Sequence, residues 1–265
     1  MLVNPKSMLR KARKHKFAIG AFNVNNMETI QGVIEACEEL KAPVILQTTE
    51  SAIKYAGLEY LYAMLKVASK TNVSVAIHLD HGKSIETVKK CVKIGYTSVM
   101  IDGSMLPYKQ NVKITKKAVK LARRYGVHVE GEIGKLAGYT EPEEAKRFVE
   151  ETGVDALAVA IGTRHGYYKA RINFPLLKEI SELVSIPLVL HGSTGVSDRD
   201  LKRCIKYGIA KINCDTELRM AFMKGLRRHI SETDYRIPLN AAREEVKKVV
   251  KRRVKLYNSM KFYRV

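Results

Sequence analysis

The sequence predicts a closed (β/α)8, or TIM, barrel, and three of its features do so. Short apolar runs rich in β-branched residues recur eight times in 265 residues, each is followed by a segment of helical periodicity, and every run ends in polar or ionisable residues. Continuous apolar runs are what parallel strands buried on both faces require. Eight strand–helix pairs in a chain of this length fit one closed barrel better than an open sheet or two small domains. No linker or low-complexity tract interrupts the pattern, so residues 1–265 are expected to form a single domain.

In order, the runs are Ala18–Phe22, Val44–Gln47, Val73–Leu79, Ser98–Ile101, Val127–Glu132, Ala156–Ile161, Leu188–Leu190 and Ala210–Asn213. Between the first two, Thr29–Leu40 places Ile30, Val33, Ile34 and Cys37 at i, i+3, i+4 and i+7, the spacing of an amphipathic helix. A helix is expected from about Ile85, capped by Asp80 or Ser84, and another at Glu141-Pro-Glu-Glu, with proline in its first turn. The tail from about Asn240 reads as one extra, basic, amphipathic C-terminal helix.

Composition narrows the function classes. With 46% apolar residues the chain has the make-up of a soluble globular protein. The basic residues Lys6, Arg10, Lys11, Arg13, Lys14 and Lys16 are followed by no apolar leader core, and no stretch approaches a membrane span, so a cytoplasmic protein without a membrane partner is expected. Cys37, Cys91, Cys204 and Cys214 are scattered without C-x-x-C spacing, which predicts reduced, mostly buried thiols. The formal charge of +20 is spread over the helices. Its densest cluster, Lys247, Lys248, Lys251, Arg252, Arg253 and Lys255, lacks interleaved aromatics, so no nucleic-acid partner is expected.

A barrel carries its chemistry where the strands end. The runs end, in order, in Asn23 and Asn25; Gln47 and Thr48; Asp80 and His81; Asp102; Glu130 and Glu132; Gly162-Thr-Arg-His165-Gly166; His191-Gly-Ser-Thr-Gly195; and Asn213-Cys-Asp-Thr216. One Asp-His pair reads equally well as a core strand running into a helix cap. Three strand-end histidines, His81, His165 and His191, accompanied by carboxylates, instead favour a metal site, because three imidazoles are how a catalytic zinc keeps a position open. His15, His78, His128 and His229 lack that placement and read as core or surface residues. Gly166, Gly192 and Gly195 follow candidate ligands or strand ends, where a missing side chain lets backbone N–H groups approach an anion, with Ser193, Thr194 and Thr216 as hydroxyl donors. Ordinary βα turns share this composition; beside a metal site, a phosphate cradle is the better reading.

Six segments in order now carry a resemblance: Gly20-Ala-Phe-Asn-Val-Asn-Asn26, His78-Leu-Asp-His-Gly82, Val99-Met-Ile-Asp-Gly-Ser104, Ala160-Ile-Gly-Thr-Arg-His-Gly166, Leu190-His-Gly-Ser-Thr-Gly195 and Lys211-Ile-Asn-Cys-Asp-Thr-Glu-Leu-Arg219. From about Gly20 to about Phe222 the chain resembles the class II, zinc-dependent fructose-bisphosphate and tagatose-bisphosphate aldolases. The resemblance implies that His81, His165 and His191 hold a catalytic Zn2+ and that Asp80 gives a proton to the aldehyde oxygen. It also implies that Asp102 and Glu132 match a second, alternative metal position, which leaves room for a second divalent or monovalent cation. The dihydroxyacetone phosphate half of a ketose 1,6-bisphosphate would lie on Gly166, Gly192, Ser193, Thr194, Asn213, Cys214, Asp215 and Thr216, with Asn23 facing the substrate and Arg219 on the distal phosphate. A homodimer or homotetramer is the assembly it implies.

The chain departs from that pattern after the fifth strand. The family's long mobile loop, which brings in a proton-shuttling glutamate, is essentially absent: Glu132-Ile-Gly-Lys-Leu-Ala-Gly138 passes almost directly to Tyr139-Thr-Glu-Pro142. Glu141, the nearest carboxylate, precedes a helix-starting proline and reads as a cap rather than a base. Three functions therefore stand: a working zinc aldolase, a metal- and sugar-phosphate-binding barrel with weakened or altered aldol chemistry, and, on charge alone, a nucleic-acid-binding protein.

Overall fold

The computed structural model describes residues 1–134, 138–164, 166 and 170–263. Eight strands, β1 Ile19–Asn23, β2 Val44–Thr49, β3 Val75–Gly82, β4 Ser98–Ile101, β5 His128–Ile133, β6 Ala156–Val159, β7 Leu188–Leu190 and β8 Ile209–Cys214, close into a barrel in sequence order. All neighbours are parallel, and β8 returns to β1 with Ile19 opposite Lys211. The expected class is borne out, each strand lying within a few residues of its apolar run.

Before β1 comes α1 Lys6–His15; the connections carry α2 Met27–Glu39, α3 Glu50–Ala56, α4 Leu58–Ala68, α5 Ile85–Ile94, α6 Tyr108–Arg123, α7 Pro142–Thr152, α8 Phe174–Leu183 and α9 Asp198–Lys206, and after β8 come α10 Thr216–Arg228, α11 Arg236–Tyr257 and a short 3-10 helix, Ser259–Tyr263. The α5 cap is Ser84, whose Oγ accepts from Thr87 N at 3.0 Å, and not Asp80. Asp80 is thereby released for the barrel interior. The basic N-terminal stretch forms α1, with Met8, Leu9 and Ala12 on its buried face. These residues and Phe17 pack against Ile19, Ala21, Ile45, Ala76, Ala156, Ala158, Val189 and Ala210 and fill the lower barrel. The many alanines leave room for that plug. The Arg13 guanidinium donates to Ser181 O at 2.7 Å, and Leu2 pairs beside Val75, so the plug closes the end where the strands begin.

The C-terminal helix starts earlier than expected and lies between α2 and α10. Glycine allows that approach: a Cβ on Gly225 would stand 2.4 Å from Ala242 Cα, and one on Gly32 would stand 2.8 Å from Arg243 O. The basic cluster on this helix is largely paired with acids. Lys247 meets Glu35 at 3.2 Å and Glu39 at 2.6 Å, Lys251 meets Glu39, Arg252 meets Asp198 and Glu217, and the buried Arg253 reaches Glu217 at 2.6 Å. All four cysteines are buried free thiols. Among the described residues no helix is long and apolar enough to cross a membrane.

Candidate active site

The interior changes character along the barrel axis. Above the apolar plug lie His78, Ser98, His128, Glu130 and Lys211, and above those Asn23, Asp80, Glu132, His191 and Asn213, all buried. Polar groups at this depth cost free energy unless they are paired, and these form a connected network.

His81 owes its aim to a bulge. In the β3–β4 register Leu79 faces Val99 and Gly82 faces Ile101, so two residues, Asp80 and His81, oppose the single Met100. His81 takes up the extra length at φ 48°, a left-handed conformation that costs a non-glycine residue of order 1–3 kcal/mol. The ring is held from one side: Nδ1 lies 2.8 Å from Asp102 Oδ2, and Asp102 Oδ1 accepts from Ser104 N at 3.1 Å and Ser104 Oγ at 2.7 Å. This leaves Nε2 as the nitrogen directed inward. His191 is oriented the other way, with Nε2 3.0 Å from Glu130 Oε1 and Nδ1 3.6 Å from Glu132 Oε2. The two rings meet edge-on, their centroids 4.7 Å apart.

Two clusters of potential ligands result, Asp80–His81–His191 and His81–Asp102–Glu132, each with its ligand atoms within 4.8 Å of one another. Imidazole nitrogen and carboxylate oxygen suit Zn2+ and other first-row divalent cations. The site also favours positive charge. Burial pulls His81 down, but Asp80, Asp102 and Glu132 outweigh it and lift the imidazole to about 9. Glu132 Oε2 is buried and makes no hydrogen bond among the described residues. Burial raises the Glu132 carboxyl against the pull of His191 and His81. A cation would satisfy these groups together.

Asp80 faces the same space. Its Oδ2 accepts from Asn23 Nδ2 at 2.9 Å and its Oδ1 from Asn213 Nδ2 at 3.1 Å, while Asn23 Oδ1 accepts from Gln47 Nε2 at 2.7 Å. Burial pushes Asp80 up, but His81, Lys211, His191 and His78 together hold it below the usual carboxylate range. Asn23 and Asn213 therefore orient the carboxylate as well as line the cleft.

That cleft, about 430 Å3, opens over the strand ends. Gly166, Gly192, Ser193, Thr194, Asn213, Asp215 and Thr216 form one wall, and Thr49, Glu50, Ser51 and Lys83 form another. Helix α10 begins at Thr216, so its first-turn N–H groups and dipole favour an anion there. Arg253 and Arg252, by gripping Glu217, fix that end of α10. Ser193 Oγ donates to Asn213 O at 2.5 Å and ties the two turns together. Gly192 sits at φ 65°, and a Cβ there would stand 2.4 Å from Arg164 O. Gly192→Ala is expected to lower the thermal midpoint, by the equivalent of at least about 1–3 kcal/mol, and to weaken inorganic phosphate binding. An unchanged midpoint would remove the close packing of these two loops from the account.

Three expected residues are placed differently or not at all. Cys214 lies outside the cleft: its buried thiol, pushed up to about 12, points to Glu217 at 3.9 Å, so only its backbone is left to serve a ligand. Arg219 is exposed, paired with Asp215 at 2.9 Å, and lines an outer groove beside α11 instead of the cleft. His165 lies outside the described residues, between Arg164 and Gly166. Sequence reasoning passed over Glu130, Lys211, His78 and Ser98 as a network; the period-two alternation that points Asn213 inward also points Lys211 inward and Cys214 outward, and was the available signal.

Histidine and carboxylate groups gathered at the C-terminal rim of a parallel barrel, beside an anion-favouring wall, define the class as a metal-dependent barrel enzyme. The family model "Fructose-bisphosphate aldolase class-II" matches residues 3–261, and the chain belongs to that family, whose members are metal-dependent lyases. It is 44% identical to a fructose-bisphosphate aldolase of Thermus caldophilus over 98% of this chain and 99% of that one, and 41% identical to a fructose-bisphosphate aldolase of Giardia intestinalis over 96% and 92%. The YdjI aldolase from Escherichia coli K12 superposes with a TM-score of 0.92 at 37% identity, covering 98% of both chains. The Campylobacter jejuni fructose-bisphosphate aldolase shares the fold, with a TM-score of 0.85 at 22% identity over 97% of this chain and 96% of that one. The Thermus alignment spans 302 positions against 265 residues here, so at least 37 of them (302 less 265) have no counterpart in this chain.

Proposed function

We propose that this protein is a Zn2+-dependent aldolase that reversibly cleaves a ketose 1,6-bisphosphate, fructose or tagatose, to dihydroxyacetone phosphate and glyceraldehyde 3-phosphate. The observation that carries the reading is the pair of ligand clusters around His81 and His191 beside the Gly192–Thr194 turn and the start of α10. His81, His165 and His191 would hold the metal, with Asp102 and Glu132 as an alternative position for it or for a second cation. Bound there, the cation supplies Lewis-acid stabilisation of the charge that develops on the substrate's keto oxygen.

The chain's own groups do the rest. Backbone and hydroxyl donors of Gly166, Gly192, Ser193, Thr194, Asn213, Cys214, Asp215 and Thr216 receive the phosphate of the dihydroxyacetone half, and Arg219, which lies outside the cleft, would serve the distal phosphate only by leaving its pair with Asp215. Asp80, anionic and aimed by Asn23 and Asn213, takes the proton of the C4 hydroxyl as the C3–C4 bond breaks and returns it to the aldehyde oxygen in the reverse direction. Residues 1–265 are read as one domain, cytoplasmic, assembling as a homodimer or homotetramer; light scattering reads the last point.

A coupled assay of both bisphosphates, with and without chelator, tests the whole. Chelator-sensitive cleavage of one of them is expected, and chelator-insensitive or absent cleavage of both overturns it. Asp80→Ala is expected to keep metal and substrate binding while kcat and kcat/KM fall together by about 100-fold or more. A loss confined to KM would make Asp80 an orienting group for His81 instead.

A further inference from the structure

We infer that Lys211 and Glu130 are positioning residues for His191: their buried pairing fixes a Glu130 oxygen against His191 Nε2, so the ring donates from Nε2 and presents Nδ1 to the metal. The inference rests on the proposed role of His191 as a ligand. Glu130 divides its two oxygens, Oε2 accepting from Lys211 Nζ at 2.8 Å and Oε1 lying 3.0 Å from His191 Nε2. Both members of the pair are fully buried.

Packing alone does not call for this pair. The barrel below it is filled by apolar side chains, Met8 and Phe17 among them, and a buried ion pair gains little or nothing over an apolar pair of the same volume. Lys211 is not placed to meet substrate. It lies two residues before Asn213 on β8, about 6.5 Å back along the strand, and does not line the cleft. Its ammonium is committed to Glu130 and, at 3.3 Å, to His78 Nε2. His78 Nδ1 is in turn 2.7 Å from Ser98 Oγ, and Ser98 Oγ is 2.9 Å from His128 Nδ1. That chain anchors the ammonium so that Glu130 turns its other oxygen upward. A carboxylate behind a ligand histidine fixes its tautomer and raises the basicity of the nitrogen that binds the metal, and losing such a partner typically weakens metal binding about 10–100-fold. Lys211, by a charge-assisted hydrogen bond at 2.8 Å, holds this carboxylate in place below the floor of the site.

The test removes both charges together. The double variant Glu130→Gln/Lys211→Met keeps the volumes and leaves no buried unpaired charge, so the metal-free barrel is expected to melt near the wild type while its Zn2+ affinity, measured by competition with a chromophoric chelator, falls about 10–100-fold. Unchanged affinity in the folded double variant overturns the inference. Independently of whether that variant folds, two-bond 1H–15N correlation on the metal-free wild type reads the His191 tautomer: a proton on Nε2 is expected, and a proton on Nδ1 overturns it. Borohydride trapping of dihydroxyacetone phosphate on Lys211 would also overturn it, by giving the lysine a covalent role. Full zinc occupancy in His191→Ala would instead strike the proposed metal site, and so separates the two failures.

Discussion

Alanine at His81, His165 or His191 is expected to abolish both metal retention and bisphosphate cleavage while the barrel stays folded. The expectation is this severe because the ligand candidates end or follow separate strands and the two described ones are held by a partner on the far nitrogen: His81 by Asp102 at 2.8 Å and His191 by Glu130 at 3.0 Å. Loss of one ring leaves a gap that a neighbouring side chain, itself anchored, does not fill. Folding survives because the core that closes the barrel, from Met8 and Phe17 to Val189 and Ala210, lies at the opposite end from the rim. Metal analysis of the purified variants beside the coupled assay is decisive. Full zinc occupancy in His191→Ala would discard the three-histidine site, and metal kept there but lost on replacing His81 or Glu132 would move the ion to the His81–Asp102–Glu132 cluster.

The strands and the rim were legible because burial on both faces leaves an uninterrupted apolar run, and chemistry at a strand end interrupts it. Asp80, His81, Asp102, Glu132 and His191 stood out for that reason, and the structure brings them together. Residues inside a run were harder. Glu130 and Lys211 are charged, yet each is flanked by residues that fit the run, and only the alternation of facing along β5 and β8 separates an interior ion pair from a strand terminus. The helix α1 was hidden by charge, since five lysines and arginines among its ten residues mask the short apolar stripe of Met8, Leu9 and Ala12. Which acids neutralise α11 was not legible at all, because Glu35, Glu39 and Asp198 are remote in sequence and meet it only when the barrel closes. The second wall of the cleft escaped notice for a related reason: Glu50 and Ser51 look like an ordinary helix start, and only closure carries them opposite the glycine turns.

The second large effect concerns the proton on carbon. Metal polarisation and phosphate anchoring stabilise the charge left by its removal, but a positioned base must still carry it, and the loop that would bring one after β5 is short in this sequence. Residues 135–137 lie outside the described residues, and the at least 37 positions of the Thermus relative without counterpart here (302 less 265) are consistent with a shortened chain. Glu141 holds the N-cap position of α7, is exposed, makes no capping bond and does not line the cleft. Of the described carboxylates that do line it, Asp102 is bound to His81, Asp215 to Arg219, and Asp80, held by Asn23 and Asn213, is taken by the C4 hydroxyl, which leaves Glu50, whose Oε1 accepts from Lys83 N at 2.8 Å. Cleavage is therefore expected to run slower than in a loop-bearing relative, by the ~10²–10⁴-fold typical of one missing acid–base group. Dihydroxyacetone phosphate should bind yet exchange its C–H proton with solvent sluggishly. NMR of deuterium uptake into dihydroxyacetone phosphate, for the wild type, Glu141→Gln and Glu50→Gln, reads this directly. Fast exchange in all three would place the proton transfer on another group and remove the expected deficit. Fast exchange lost only in Glu141→Gln would show that the short connection has kept its base, and lost only in Glu50→Gln would show that the wall after β2 has taken over the task.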